Sequence, residues 1–576
     1  MITGAQLFVK ALKAEKVETL FAYPGGQVID ILDALYVDET IDVILPRHEQ
    51  GLAHAADGYA RSTGKAGVCL VTSGPGATNL VTAIATANYD AVPLVCFTGQ
   101  VTTPLIGKGA FQEADIVDMV KSITKYAVTV RSREMLGEII KKAFYIAQSG
   151  KPGAVLIDIP KDIQQQMGSE EYPKSIEFDN NNNIPLLKAQ STQIESAFDL
   201  LAQCKKPLLL AGGGIKIACA EKELTKFAEA VGIPVVTTIM GKGAIDTNHC
   251  LYFGNVGIHG SFCANTAVNE CDLLLSIGTR FNDRVAGSKD KFAANAKIIH
   301  VDIDPTTISK NIKADVSIIA DAKETLSLLL SKAKTIECSE WIDNLKSLSK
   351  TYPIKIVSDY LNPQDIIEKL NSNYEELIVA TDVGQNQLWT TQFLRLNEKR
   401  KLLTSGGFGT MGFGLPAAIG AKLGNANIPV IAVVGDGGFQ MNIQELATAV
   451  INGLPIIICL LNNGWLGNVR QWQELYYGKR YQSTCLRRRS DCPKQCDING
   501  NCPIYVPDFE KVADSYGIKY RRVTDKSQLD DAFAFANMQT DTPTLLEFII
   551  KEEENVWPII LPGKDLSTIK FGKDVE

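Results

Sequence analysis

No apolar run in this 576-residue chain reaches the length of about 20 residues that crosses a bilayer, so the sequence offers no membrane-spanning segment. A basic excess is missing as well. Fifty-eight Lys and Arg stand against 65 Asp and Glu, for a formal net charge of -7, and no extended basic face is available to a phosphate backbone. Nucleic acid is thereby excluded as the main partner, and small molecules are expected. Disorder is not the explanation either, because hydrophobic residues make up 45% and charged residues 21% of the chain, a globular profile. Thirteen cysteines form no disulfide framework. All but Cys485, Cys492, Cys496 and Cys502 are scattered singly through apolar or helical segments, as expected for reduced, buried thiols in the cytoplasm.

What the sequence does have is length and alternation. At roughly 100–200 residues per domain the chain is expected to form three or four units. Met1 to Phe21 reads as an amphipathic helix running into a strand. Short β-branched runs at 66–71, 94–98 and 154–159 alternate with helical stretches and Gly-rich turns, the pattern of a parallel sheet covered on both faces. This predicts an N-terminal domain over 1–166, followed by a polar, Asn-rich linker over 167–188. Strand-like runs at 207–210, 234–238, 273–277 and 297–301 predict a second domain over 189–334, and a Lys-rich helical connector covers 335–361. Runs at 377–380, 430–434, 456–461 and 544–548 predict a third domain over 362–550, with a tail at 551–576. The expected fold class is α/β, with three doubly wound parallel-sheet domains.

Two loops in the third domain stand out. The strand Ile431-Ala432-Val433-Val434 runs into Gly435-Asp436-Gly437-Gly438, and the next strand runs into Asn462-Asn463, so both loops leave the same carboxyl edge. Either one alone is an ordinary turn, with Asp436 capping a helix that begins near Met441. Together, an Asp and an Asn supply the hard oxygen ligands that Mg2+ prefers, while glycines let backbone N–H groups approach a diphosphate. The pair resembles the thiamine-diphosphate motif. That resemblance implies Mg2+ held by Asp436, Asn463 and the carbonyl of Trp465.

Thiamine chemistry also requires a carboxylate elsewhere, and Arg47-His48-Glu49-Gln50-Gly51-Leu52-Ala53-His54-Ala55-Ala56-Asp57-Gly58-Tyr59-Ala60 offers one. Glu49 heads a small-residue helix that can pack closely and exclude water, a setting for proton exchange with a ring nitrogen. Alone, it would be a helix-start carboxylate favoured by the dipole. Tyr23-Pro24-Gly25-Gly26, the Glu49 segment, Thr72-Ser73-Gly74-Pro75-Gly76-Ala77-Thr78-Asn79, Phe97-Thr98-Gly99-Gln100, Ala110-Phe111-Gln112-Glu113 and Ile157-Asp158-Ile159-Pro160-Lys161-Asp162 follow in order. With matching segments through to Glu554-Asn555-Val556, essentially the whole chain resembles the acetohydroxyacid synthase, or acetolactate synthase, family.

The resemblance implies that Glu49 hydrogen-bonds the aminopyrimidine ring and so lets the cofactor deprotonate its own thiazolium carbon. It also implies a catalytic part for Gln112. In Gly406-Gly407-Phe408-Gly409-Thr410-Met411-Gly412, the carbonyl of Gly409 would receive the exocyclic amine and Met411 would wedge the cofactor into a bent shape, although a lone Met is usually core filler. Tyr23, Gly25, Gly26, Gln385, Asn386, Gly435, Gly437 and Gly438 are the remaining implied contacts of thiamine diphosphate. Arg284, in Gly278-Thr279-Arg280-Phe281-Asn282-Asp283-Arg284-Val285, is the implied holder of the acceptor's carboxylate, a bidentate task suited to arginine. Trp472 would shape the acceptor pocket and favour 2-ketobutyrate, with Phe111 and Lys125 also at the substrate. Ala211-Gly212-Gly213-Gly214 follows a strand but lacks the full dinucleotide spacing. The resemblance nevertheless implies FAD, bound and not consumed, at Gly212, Gly213, Met240, Arg280, Asp302 and Asp321.

The reading is an enzyme joining pyruvate to pyruvate or 2-ketobutyrate, working as a homodimer or homotetramer with the site between two chains and open to a small regulatory subunit. The alternatives are a relative with another acceptor and a non-catalytic homologue, though the latter would be free to lose Glu49, Asp436 or Asn463. Departures from the family pattern fall at Gln27, Gly109, Asn282, Asn386 and Gly438. The insert carrying Cys485, Cys492, Cys496 and Cys502 has ligand types for zinc or an iron–sulfur cluster, but its spacing fits no standard motif closely, and free thiols in an ordered loop are the alternative. Its Arg487-Arg488-Arg489 reads as a solvated charge run.

Overall fold

The computed structural model describes residues 1–175, 188–493, 502–561 and 563–572. Three six-stranded sheets organise it, and every strand pair within them is parallel. Apolar runs make this possible: Leu94–Gln100 and Ala154–Pro160 are buried along their whole length, as strands covered on both faces must be. The α/β class expected from the sequence is the class observed.

Numbering strands within each sheet in chain order, the first and third sheets share one topology, 2-1-3-4-6-5, whereas the middle sheet runs 3-2-1-4-5-6. The middle order is the dinucleotide-binding one, and the other reverses direction beside its first strand. In each sheet, therefore, the crevice at the reversal is fixed by chain order before any side chain is considered.

The expected boundaries shift where packing overrides composition. Met167–Gly168 pairs antiparallel with Ile2–Thr3, so the first unit extends past 166 into the stretch read as linker; 176–187 lie outside the described residues. Helix Ser339–Thr351, inside the expected connector, puts Trp341 and Leu345 into the middle-domain core and donates the Trp341 indole N–H to the Pro207 carbonyl at 3.0 Å. The tail is packed down as well, with Val556, Ile559, Ile560 and Leu566 buried. Helix Asp436–Met441 begins at Asp436 itself, so this residue is no cap of a helix starting near Met441.

The first and third domains meet along two helices, Glu49–Thr63 and Gly414–Gly424. Their backbones come so close that a Cβ on Gly58 would stand 2.2 Å from the Ala417 carbonyl oxygen, and one on Gly420 would stand 1.7 Å from that of Ala55. Only hydrogen fits at these two positions. Gly420→Val is expected to force the helices apart and cost on the order of 1–3 kcal/mol or more, read as a lowered urea midpoint; an unchanged midpoint would show that the crossing can relax.

Candidate active site

In the third sheet the reversal lies between strands Leu377–Thr381 and Val430–Gly435. Gln385 and Asn386 follow the first of these, and Asp436 follows the second. Asn386 donates both amide hydrogens inward, to the carbonyls of Asp382 and Val433 at 3.0 Å, which turns its oxygen toward Gly384 and Gly435. Asp436 is 2% exposed. Its carboxylate accepts the backbone N–H groups of Gly464 at 2.7 Å and Gly437 at 3.2 Å, and burial pushes its pKa up to about 7. A buried carboxylate held by neutral donors and no cation is the arrangement that a divalent ion compensates.

Asn463 lies at the end of the neighbouring strand, where its oxygen accepts the Trp465 N–H at 3.0 Å and its amide donates to Gln385 at 3.3 Å. Gln385 in turn donates to Gln471 at 3.0 Å and to the Glu554 carbonyl at 2.9 Å, so the tail is tied to the site. The donor set and the glycine cradle fit Mg2+ and a diphosphate: a Cβ on Gly435 would meet nothing but the Asn386 amide, 3.6 Å away. Gly438, by contrast, is glycine because of packing, since a Cβ there would stand 2.5 Å from Asp382.

Asp382 was not singled out in the sequence. It accepts the N–H groups of Gly412 and Gly414 at 3.0 and 3.2 Å, and burial raises its pKa to about 6. Together with Ser405, whose hydroxyl accepts the Gly409 and Thr410 N–H groups at 3.1 and 3.0 Å, it shapes the loop bearing Gly409 and Met411. Gly409 has φ +77, with nothing within 4 Å of the Cβ position, so its backbone faces open space. The Met411 methyl group lies 3.8 Å from the Cβ position of Gly437, which brings this loop beside the turn that carries Asp436.

The first domain builds its part at the matching reversal. Glu49, 9% exposed, opens the helix capped by His48 and accepts the Asn79 amide at 2.9 Å. Gly25 packs on Thr72, where a Cβ would stand 2.4 Å from the Thr72 side chain, and the Gly26 carbonyl accepts the Lys161 ammonium at 2.8 Å. Tyr23 lies half-buried at the same turn. Glu445 of the third domain reaches across to accept the N–H groups of Arg47 and His48, each at 3.1 Å; a sequence separation of 398 residues hid that contact. Phe111 is 86% exposed, and Gln112 beside it takes φ +58.

The middle sheet reverses between Pro207–Ala211 and Leu273–Ile277. Here Gly212 leaves no room, because a Cβ would stand 2.1 Å from the Gly278 carbonyl oxygen. A cavity of about 2860 Å3 opens at this edge, lined by Gly213, Met240, Arg280, Asp302 and Asp321, and it continues to Arg284 and Trp472. Arg284 lies over the Trp472 ring, 5.4 Å from its centroid, and makes only a loose contact of 3.7 Å with exposed Asp283. Asp302 has its pKa raised to about 6 by burial, while Asp321 caps the helix Ala322–Ser331. The strand order is the dinucleotide-binding one, and the cavity has more than enough room for such a ligand.

The Lys125 ammonium donates to the helix-end carbonyls of Ile146 and Ser149, burial lowers its pKa to about 8, and the residue lines the same cavity as Arg284 and Trp472. Two expectations fare differently. Among the described residues no cluster of three or more His, Cys, Asp or Glu could hold a metal ion, so the zinc or iron–sulfur reading of Cys485, Cys492 and Cys502 has no support there; Cys496 lies outside them. Nor is the arginine run merely solvated: Arg487 pairs with Glu552 and lies against Gly464, and Leu486 donates its N–H to the Gly464 carbonyl at 2.9 Å. No helix among the described residues is long and apolar enough to cross a membrane.

Comparison with known proteins agrees with this geometry. The family described as thiamine pyrophosphate enzyme matches in its N-terminal TPP binding domain over residues 2–119, its central domain over 194–329 and its C-terminal TPP binding domain over 382–548. The chain is 44% identical over 589 residues to the "Probable acetolactate synthase large subunit" of Methanococcus aeolicus, covering 99% of this chain and 95% of that one. It is 43% identical over 579 residues to the acetolactate synthase large subunit of Corynebacterium glutamicum, covering 99% and 90%. It is also 43% identical over 583 residues to that of Cyanidium caldarium, covering 98% and 96%. The chain belongs to the thiamine pyrophosphate enzymes, in the family of acetolactate synthase large subunits.

Proposed function

We propose that this protein is an acetolactate synthase: two pyruvates give 2-acetolactate and carbon dioxide, or pyruvate and 2-ketobutyrate give 2-aceto-2-hydroxybutyrate and carbon dioxide, as steps in branched-chain amino-acid synthesis in the cytoplasm. One carbon–carbon bond breaks as the donor's carboxylate leaves, and one forms at the acceptor's ketone. The observation that carries this reading is the buried Asp436 at a glycine-lined strand reversal, in a chain that keeps a half-exposed Arg284 beside Trp472 at the mouth of an adjoining cavity.

Thiamine diphosphate, when bound, supplies a thiazolium carbon that adds to a 2-keto acid and stabilises the charge left by decarboxylation. The chain's own part is positioning and charge. Asp436, Asn463 and the Trp465 carbonyl would hold Mg2+, and the Gly435 turn would meet the diphosphate. Glu49 would hold a proton at a pyrimidine nitrogen, and Gly409 and Met411 would fix the ring's orientation. Arg284 would take the acceptor's carboxylate, with its guanidinium plane stacked on Trp472. FAD would occupy the middle cavity. Glu49 bonds within the first domain and Asp436 within the third, and exposed Phe111 is an aromatic surface awaiting cover. A homodimer that places the first domain of one copy against the third of the other would cover Phe111, and a regulatory subunit would add to it.

Incubating the protein with pyruvate, thiamine diphosphate, Mg2+ and FAD should yield acetolactate, measured as acetoin after acid treatment, and Glu49→Gln should lower the rate by about 10²-fold or more. Pyruvate consumption without acetolactate would rule out the carboligase reading. Asp436→Ala tests the metal site separately. Because it removes an uncompensated buried charge, the cofactor-free protein should melt no lower than wild type. The rise in Tm that Mg2+ and thiamine diphosphate give wild type should be lost. A retained rise would place the metal elsewhere.

A further inference from the structure

The loop bearing Gly409 and Met411 is held from outside its own domain. Between strand Arg400–Leu403 and helix Gly414–Gly424 it contains four glycines, and Gly409 and Gly412 take φ +77 and +90. Such a segment has a large conformational entropy to lose, and its shape depends on what anchors it. The strongest outside anchor is Asp90, just past helix Val81–Tyr89 of the first domain and 7% exposed.

The two carboxylate oxygens of Asp90 face different domains. Oδ1 accepts the Gly407 N–H at 2.7 Å, and Oδ2 accepts Arg61 Nη2 at 3.0 Å. Arg61 is fully engaged: it also pairs with Asp57, donates to the Thr404 carbonyl at 2.8 Å and lies 5.1 Å from the Phe413 ring centroid. A second tether runs in parallel, with the hydroxyls of Thr86 and Thr410 2.6 Å apart. The middle domain closes the junction, since Arg280 donates to the Tyr89 carbonyl at 2.6 Å. A Cβ on Gly407 would stand 2.2 Å from Asp90 Oδ1 and 2.8 Å from Arg280 Nη2, so the loop is seated with no slack. Asp90 and Arg61 lie at the first-domain side of the large cavity, and Asp90 has no place in the proposed chemistry itself.

We infer that Asp90 is a positioning residue for the carboligase site, fixing through the Gly407 amide the loop whose Gly409 and Met411 orient the cofactor. Its hydrogen bond to Gly407 is charge-assisted and shielded from water, so it is stronger than a neutral one. Since Asp57 and Arg61 sit on the helix that begins at Glu49, the glutamate and the cofactor-facing loop of one chain form a single braced unit. In the proposed dimer, where these serve two different sites, the brace links one site to the other. The inference rests on the acetolactate synthase reading.

The test uses full-length wild type, Asp90→Ala, Asp90→Asn and Thr86→Val. Thiamine diphosphate affinity at saturating Mg2+ is read from tryptophan fluorescence, alongside the near-ultraviolet circular dichroism of the bound cofactor, kcat and KM for pyruvate, and the Tm of the cofactor-free protein. Misplacing the loop should lower kcat by about 10²-fold in Asp90→Ala and weaken cofactor binding by about 10-fold or more, while KM for pyruvate stays within about twofold. Asp90→Asn, which keeps an acceptor for the Gly407 amide, should recover part of both losses, and Thr86→Val should move them in the same direction by less. A fall in Tm with cofactor affinity and kcat intact would make Asp90 merely structural and overturn the inference. Should Asp90→Ala fail to fold, Thr86→Val and Asp90→Asn decide it, and unchanged cofactor affinity in both overturns it. Wild type that makes no acetolactate sinks the proposed function; wild type that makes it, with variants that bind cofactor normally, sinks only this inference.

Discussion

The close crossing of helices Glu49–Thr63 and Gly414–Gly424 is the contact on which the rest of the structure depends. Backbone carbonyls of one helix occupy the space where side chains of the other would be, at Gly58 and Gly420. Two helices can approach so nearly only where small residues remove the side-chain layer, and the gain is dense dispersion contact and a fixed angle between domains. From one end of this crossing projects the candidate catalytic glutamate; the other helix is preceded directly by the Gly409 loop. Glu445 reinforces it by closing the N-terminal side of the Glu49 helix from the third domain.

Around that crossing, three sheets each place a glycine turn at the point where strand order reverses. The repeated 2-1-3-4-6-5 order in the first and third sheets gives two equivalent crevices, one supplying Gly25, Gly26 and Glu49, the other Gly435, Asp436 and Asn463. The middle sheet's different order suits a different ligand. Its cavity continues to Arg284 and Trp472, so whatever fills the middle crevice would border the space beside that arginine.

Much of this was legible in the sequence because fully buried parallel strands are written as apolar runs: 273–277 and 94–98 were readable as strands, and the observed elements agree within a few residues. The glycine turns were legible for the same reason, since they interrupt those runs at strand ends. What was not legible involves long sequence separation. Nothing local marks Glu445 as a partner of Arg47 or Asp90 as a partner of Gly407, because each acts on a backbone amide, which carries no identity in the sequence. Arg487 was misread for a related reason: a long cationic side chain finds its partner, here Glu552, only once the fold exists. The connector and tail were set apart from the domains in the sequence, yet Trp341, Ile559 and Ile560 are buried and dock them.

The tail's docking has a consequence for how the protein is made. Residues 554–560 bond to Gln385, Gln392 and Gln471 of the third domain and to Ile258 of the middle one, adding to the contacts those two units make directly, such as Lys242 to the Thr391 carbonyl and the Leu396 N–H to the Thr247 hydroxyl. This stretch emerges from the ribosome after every strand of all three sheets, and domains generally fold in order of synthesis. Val556 belongs to the third-domain core, and Ile560 and Leu566 belong to the middle one, so both cores, and the seam between those domains, are completed only after the tail has been made.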